Sequence, residues 1–120
     1  MDDTQINNGE RIADGVTALL AEHRAVDPVK LDLRRFNIWT DFFVVATVTS
    51  AAHLEGLKRH LEEWAADNRA ALRRESRRRT SGKGTVDTNI LWEIIDMGNV
   101  IVHLMSKDAR EFYALENLWV

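Results

Sequence analysis

Two apolar, β-rich runs on either side of a three-residue turn constrain this chain more than any other feature. Ile90 to Asp96 and Val100 to Met105 flank Met97-Gly98-Asn99, and that arrangement predicts a β-hairpin. Side chains alternate across a strand, so Trp92, Ile94 and Asp96 share one face. A turn centred on Met97-Gly98 or on Gly98-Asn99 puts Ile101, His103 and Met105 beside them. The opposite face holds Leu91, Glu93, Ile95, Met97, Val100, Val102 and Leu104. It is the more uniformly apolar and is expected to form the core, with Glu93 requiring an edge strand.

The rest of the chain supplies the partners for this hairpin. Asn7 and Asn8 are candidate caps for a helix carrying Ile12, Val16, Leu19 and Leu20. Pro28, the single proline, is expected to close that unit, and Val29 to Leu33 alternates as a half-buried strand. Phe42-Phe43-Val44-Val45-Ala46 is continuously apolar and rich in aromatic and β-branched residues, as a strand covered on both faces should be. Thr49 or Ser50 caps a helix with Leu54, Leu57, Leu61, Trp64 and Ala65 on one stripe. Ser106 caps a closing helix in which Phe112, Leu115 and Leu118–Trp119 supply apolar contacts.

With 120 residues, the pattern reads as one α/β domain over residues 1–120, with a mixed sheet flanked by helices. Residues 1–8 are expected to be flexible, and residues 70–88 to form a basic, poorly defined loop or edge strand. The absence of cysteine excludes disulfides, thiol nucleophiles and cysteine-based metal sites. Of the four histidines, only His53 and His60 lie close in sequence, and no metal or cofactor is expected. No apolar run approaches the roughly 20 residues that would cross a bilayer. The opening Met1-Asp2-Asp3-Thr4-Gln5 is unlike a signal or transit peptide, which favours the bacterial cytoplasm.

Charge is uneven. The chain is net −3, but the segment from Arg69 to Lys83 is net +6 and Gly84 to Val120 is net −4. A basic block next to an acidic C-terminal third suggests two contact surfaces. The run Arg73 to Arg79 has no interleaved aromatic residue, so contact with nucleic acid there would be electrostatic and blind to sequence.

Catalytic constellations are weak. Gly82-Lys83-Gly84 lacks phosphate-loop spacing, and Asp32, Asp41 and Asp96 read better as turn caps than as a metal-binding set. The face holding Trp92 has two readings: a second core layer with His103 hydrogen-bonded inside it, or an aromatic anchor ringed by aliphatics that binds a protein. Three helices cover one sheet face more easily than two, which favours exposure.

The residues also resemble a known family. Thr40 to Thr47 with Ser50, Trp92 to His103, and Arg110 to Trp119 occur in the order found in the ribosomal silencing factor family, RsfS or Iojap. The resemblance covers roughly Val29 to Trp119. It implies a mixed sheet of about five strands with a nucleotidyltransferase-like topology lacking the catalytic signature. It also implies a non-enzymatic factor that binds the large ribosomal subunit through the universal large-subunit protein fourteen. Docked there, it would block joining of the small subunit and repress translation when nutrients are scarce.

Carried onto this chain, the family's contact region falls on Trp92, Asp96 and Met97. Taken with the neighbouring hairpin, the expected ribosomal-protein-binding set is Trp92, Ile94, Asp96, Met97, Asn99, Ile101 and His103. Trp92 would be the apolar anchor and Asp96 the partner of a basic side chain, while Tyr113 and Glu116 are weaker candidates. Arg77, Arg78 and Arg79 are expected to touch ribosomal RNA.

The chain departs from the family at Asn99, where Asp is usual, and before the hairpin, where the basic stretch to Gly84 replaces an apolar strand and a Glu-Gly pair. A Trp92 face left open off the ribosome could form a homodimer that competes with docking. The rival readings are a nucleotidyltransferase-type enzyme binding Mg²⁺ and nucleotide, and a basic RNA-binding module.

Overall fold

The run around Phe43 becomes the strand on which the fold is assembled. In the computed structural model the structure describes residues 3–36, 38–72 and 91–119. They form α1 (Asp3–Glu22), β1 (Val26–Asp32), β2 (Phe42–Val48), α2 (Ala51–Asp67), β3 (Trp92–Asp96), β4 (Val100–Ser106) and α3 (Lys107–Tyr113), with 3₁₀ turns at Arg34–Phe36 and Leu115–Trp119. The sheet order is β1-β2-β4-β3. β1 and β2 are antiparallel, β2 and β4 parallel, β3 and β4 antiparallel. Every residue of β2 and β4 is buried, as interior strands require.

Four strands form among the described residues, against the expected five or so. The segment read as a basic loop or edge strand lies outside the described residues from position 73 onward. Solvent-side details also differ from expectation. α1 reaches back to Asp3, ahead of the expected asparagine caps. β1 begins at Val26, and its pairing with β2 is irregular between Val26 and Val29. Asp27 there takes φ +52, and Pro28 is tolerated because β1 is an edge strand.

The two sheet faces are covered by different means. Ile12, Ala13, Val16 and Leu20 of α1, with Leu54, Leu57, Leu61 and Ala65 of α2, pack on Phe42, Val44, Ala46, Ile95, Met97, Val102 and Leu104. Gly15 lets the helices approach: a Cβ there would lie 2.3 Å from Trp64 Cζ2. Ser50 caps α2 by accepting from the His53 N–H, and its buried stripe is the one the spacing predicts. Glu93 is buried on this face at the β3 edge and meets Lys58 Nζ at 3.5 Å.

The opposite face packs Phe43, Val45, Ile101 and Met105 against Leu33 and Ala109, with Leu31, Phe36, Ile38, Trp92 and Leu115 around them. Among the described residues its cover is the seven-residue α3 and two 3₁₀ turns. These short pieces close the middle of the face, and Ile94 at its margin is exposed.

Candidate docking face

The hairpin turn sets the register of this second face. Met97 N donates to Val100 O at 2.8 Å, so Gly98 and Asn99 are the two turn residues. Gly98 takes φ +87 and Asn99 is not left-handed, the pattern of a type II′ turn with glycine at its first central position. Asp96 steadies it by accepting from Gly98 N at 2.9 Å. The Asn99 carbonyl accepts from the N–H groups of Asp41 and Phe42 and from Thr40 Oγ1, tying the turn to the start of β2. In the resulting register Trp92 faces Met105, Ile94 faces His103 and Asp96 faces Ile101, as side-chain alternation requires.

On this face aromatic rings follow one another. Trp39 lies 6.4 Å from Phe43, Phe43 lies 4.5 Å from His103, Trp92 lies 4.5 Å from Tyr113 and Tyr113 lies 4.9 Å from Phe112, measured between ring centroids. Trp92 Nε1 donates to His103 Nδ1 at 3.1 Å, joining the two halves of the row. Accepting at Nδ1 leaves His103 neutral with its proton on Nε2, and burial pushes its pKa down to about 4. Its Nε2 has no hydrogen-bond partner among the described residues.

Exposure divides the expected site residues. Ile101, His103 and Met97 are 3%, 5% and 1% exposed, so no partner can reach their side chains. For Ile101 and His103 the reason is that β4 is an interior strand and its face packs in the second core layer. Met97 projects to the other face, into the layer beneath α1 and α2. Trp92 and Asp96 remain half-buried, and Ile94 and Asn99 are exposed.

What enlarges the accessible surface comes from outside the hairpin. Phe112 is 75% exposed, Trp39 73% and Tyr113 43%. Phe112 and Leu118, expected to supply apolar contacts, are both largely exposed. Trp39 sits in the connection before β2, a large apolar residue in an irregular stretch, which was the available signal. Arg77, Arg78 and Arg79 lie outside the described residues.

The carboxylates do not gather for catalysis. Asp32 is held by Arg34 at 2.6 Å, which brings its pKa down to about 2, and Asp96 serves the hairpin turn. Among the described residues no group of three or more His, Asp or Glu side chains is placed to hold a metal ion. His60 stacks on His23 at 3.7 Å, a face-to-face arrangement in which the ring lone pairs do not converge. A cavity of about 860 Å³ lies by the ends of β2 and β4, with Thr47, Thr49, Lys107, Arg110 and Asn117 in its lining. Its buried cation, Arg110, is already engaged with Thr47, Val26 and Glu116. No helix among the described residues is long and apolar enough to cross a membrane.

Comparison with known proteins agrees with this architecture. Residues 7–120 match the family model described as ribosomal silencing factor during starvation. The chain is 38% identical over 107 residues to the ribosomal silencing factor RsfS of Treponema pallidum, covering 89% of this chain and 88% of that protein. It is 29% identical over 106 residues to the mouse protein named mitochondrial assembly of ribosomal large subunit protein 1, covering 88% of this chain and 44% of that one. The crystal structure of a Chromobacterium violaceum protein superposes with a TM-score of 0.69 at 22% identity, over 92% of this chain and 85% of the other, a likeness of fold.

Proposed function

This chain belongs to the ribosomal silencing factor family, and from that premise we propose that it docks on the large ribosomal subunit and represses translation by keeping the small subunit away. The observation that carries the reading is the open margin of the second sheet face, where Trp92, Ile94, Tyr113 and Phe112 stand together with Asp96 at one end. An aromatic anchor with an aliphatic neighbour and an acid at its edge is the make-up of a protein hot spot, and the acid favours a basic partner. The universal large-subunit protein fourteen is the partner we assign to it. Nothing in this mechanism makes or breaks a bond; bulk at the intersubunit face is sufficient, and the bacterial cytoplasm is the compartment it implies.

The arginine run supplies a second contact in this proposal, sequence-blind and aimed at ribosomal RNA near the docking site. Changing Arg77, Arg78 and Arg79 together to Ser should weaken large-subunit binding and reduce the slope of log affinity against log salt by up to about 3. An unchanged slope would remove the RNA contact from the account. Off the ribosome, the same apolar margin is what a homodimer would cover.

The direct test is subunit joining. Purified large and small subunits are mixed with and without the protein, and joined ribosomes are followed by light scattering. Dose-dependent loss of joined particles is expected, and it should be relieved in Trp92→Ala. Joining at an undiminished rate with excess protein would refute the proposal.

A further inference from the structure

We propose that Arg110 is the positioning residue of the docking face: its fork onto Glu116 latches the closing segment so that Tyr113 lies against Trp92. The inference rests on the docking reading above and adds what holds that surface in shape. The Arg110 side chain is 10% exposed, on a seven-residue helix whose other buried residue is Ala109. Its guanidinium reaches three elements at once. Nη1 donates to the Val26 carbonyl at 3.2 Å and to Thr47 Oγ1 at 2.9 Å, which fixes the rotation of α3 on the sheet. Nη2 and Nε donate to the two Glu116 oxygens at 2.7 and 3.3 Å, a bidentate fork onto the 3₁₀ turn beyond the helix.

The backbone of the same residue anchors the chain reversal. The Arg110 carbonyl accepts from Ala114 N at 2.8 Å, and the Ala114 carbonyl accepts from Asn117 N at 3.0 Å. Ala114 takes φ 43 and ψ 50, a left-handed conformation that glycine adopts freely and alanine does not. The fork onto Glu116 therefore holds a turn that the local sequence disfavours. That turn sends Leu115 into the second core layer and leaves Tyr113 on the surface beside Trp92. Tyr113 lies three residues beyond Arg110 on the same short helix, so the rotation set by Arg110 toward β1 and β2 decides where the Tyr113 ring lands against β3.

The experiment compares Glu116→Gln, Glu116→Gln with Ala114→Gly, and Glu116→Gln with Gly56→Ala in the full chain. Gly56 lies in α2 with open space where its Cβ would be, so Gly56→Ala adds stability away from the turn. Affinity for isolated large subunits is measured by co-sedimentation, and contact between the Trp92 indole and the Tyr113 ring is read from NMR cross-peaks in the free protein. Glu116→Gln should lose those cross-peaks and bind about 10-fold more weakly, as loss of a charge-assisted fork implies. Adding Ala114→Gly should restore both, because glycine favours the turn; adding Gly56→Ala should restore neither. Unchanged cross-peaks in Glu116→Gln would overturn the latch, as would unchanged affinity or equal rescue by Gly56→Ala. If Phe112→Ala binds as tightly as wild type, the docking reading fails on its own, and the cross-peaks still decide the latch.

Discussion

The two faces of the sheet are built from the same strands yet closed in opposite ways. One lies under two long helices, α1 and α2, whose apolar stripes cover it from β2 to β3. The other is roofed, among the described residues, by one short helix and two 3₁₀ turns, with Ile101, His103 and Met105 buried and Ile94, Phe112 and Tyr113 accessible. A long amphipathic helix can shield a whole sheet face, whereas a seven-residue helix shields only its centre. The thin cover is what gives this small domain a stable core and an aromatic surface on the same sheet.

Substitutions separate the two faces by what they disturb. Leu61→Ala, under α2, should cost about 3 kcal/mol of stability in denaturant unfolding. Phe112→Ala should stay within about 0.5 kcal/mol of wild type while weakening large-subunit binding. Equal stability losses at the two positions would erase the distinction between a closed face and an open one.

Acid should act on the second face through His103. Its pKa falls from the ordinary 6.5 to about 4 on folding, so the unfolded chain binds the extra proton between those values. The associated stability is complete above pH 6.5 and is lost as pH drops toward 4, by about 3 kcal/mol. In His103→Gln, unfolding measured over the same pH range should show that component of the slope gone. A slope unaltered by the substitution would mean that His103 is not the buried neutral group described here.

Helix packing on the first face can be probed at its glycines. Gly15→Ala should destabilise by about 1–3 kcal/mol, because the new methyl meets the Trp64 ring. Gly56→Ala, facing open space in the same layer, should stabilise by about 1 kcal/mol. Thermal melting of the pair should give shifts of opposite sign, and a neutral Gly15→Ala would contradict the close α1–α2 contact.

Much of this was legible in the sequence where local pattern decides. The unbroken apolar run at Phe42 predicts a doubly covered strand, alternation fixes which hairpin residues share a face, and Ser50 and Ser106 mark the helix starts they cap. The errors concern contacts made at long range. The core layer around Ile101 also takes in Leu115, from a 3₁₀ extension that follows a left-handed alanine at position 114, which no periodicity reveals. Conversely, Phe112 reads as an inward residue of an amphipathic helix, yet Arg110 turns that helix so that its buried side is Ala109 and Arg110 itself. An arginine inside and a phenylalanine outside is a reversal visible only once Thr47, Val26 and Glu116 are seen around the guanidinium.

In the proposed docking, the face holding Trp92 and Ile94, and not the helical one, meets the large subunit. Co-sedimentation with isolated large subunits should be made with wild type, with Ile94→Ser combined with Phe112→Ser, and with Arg59→Glu on the exposed side of α2. The double variant should be left in the supernatant while Arg59→Glu travels with the subunit as wild type does. Retention of the Ile94, Phe112 variant together with loss of Arg59→Glu would place the docking surface on the opposite side of the sheet and contradict it.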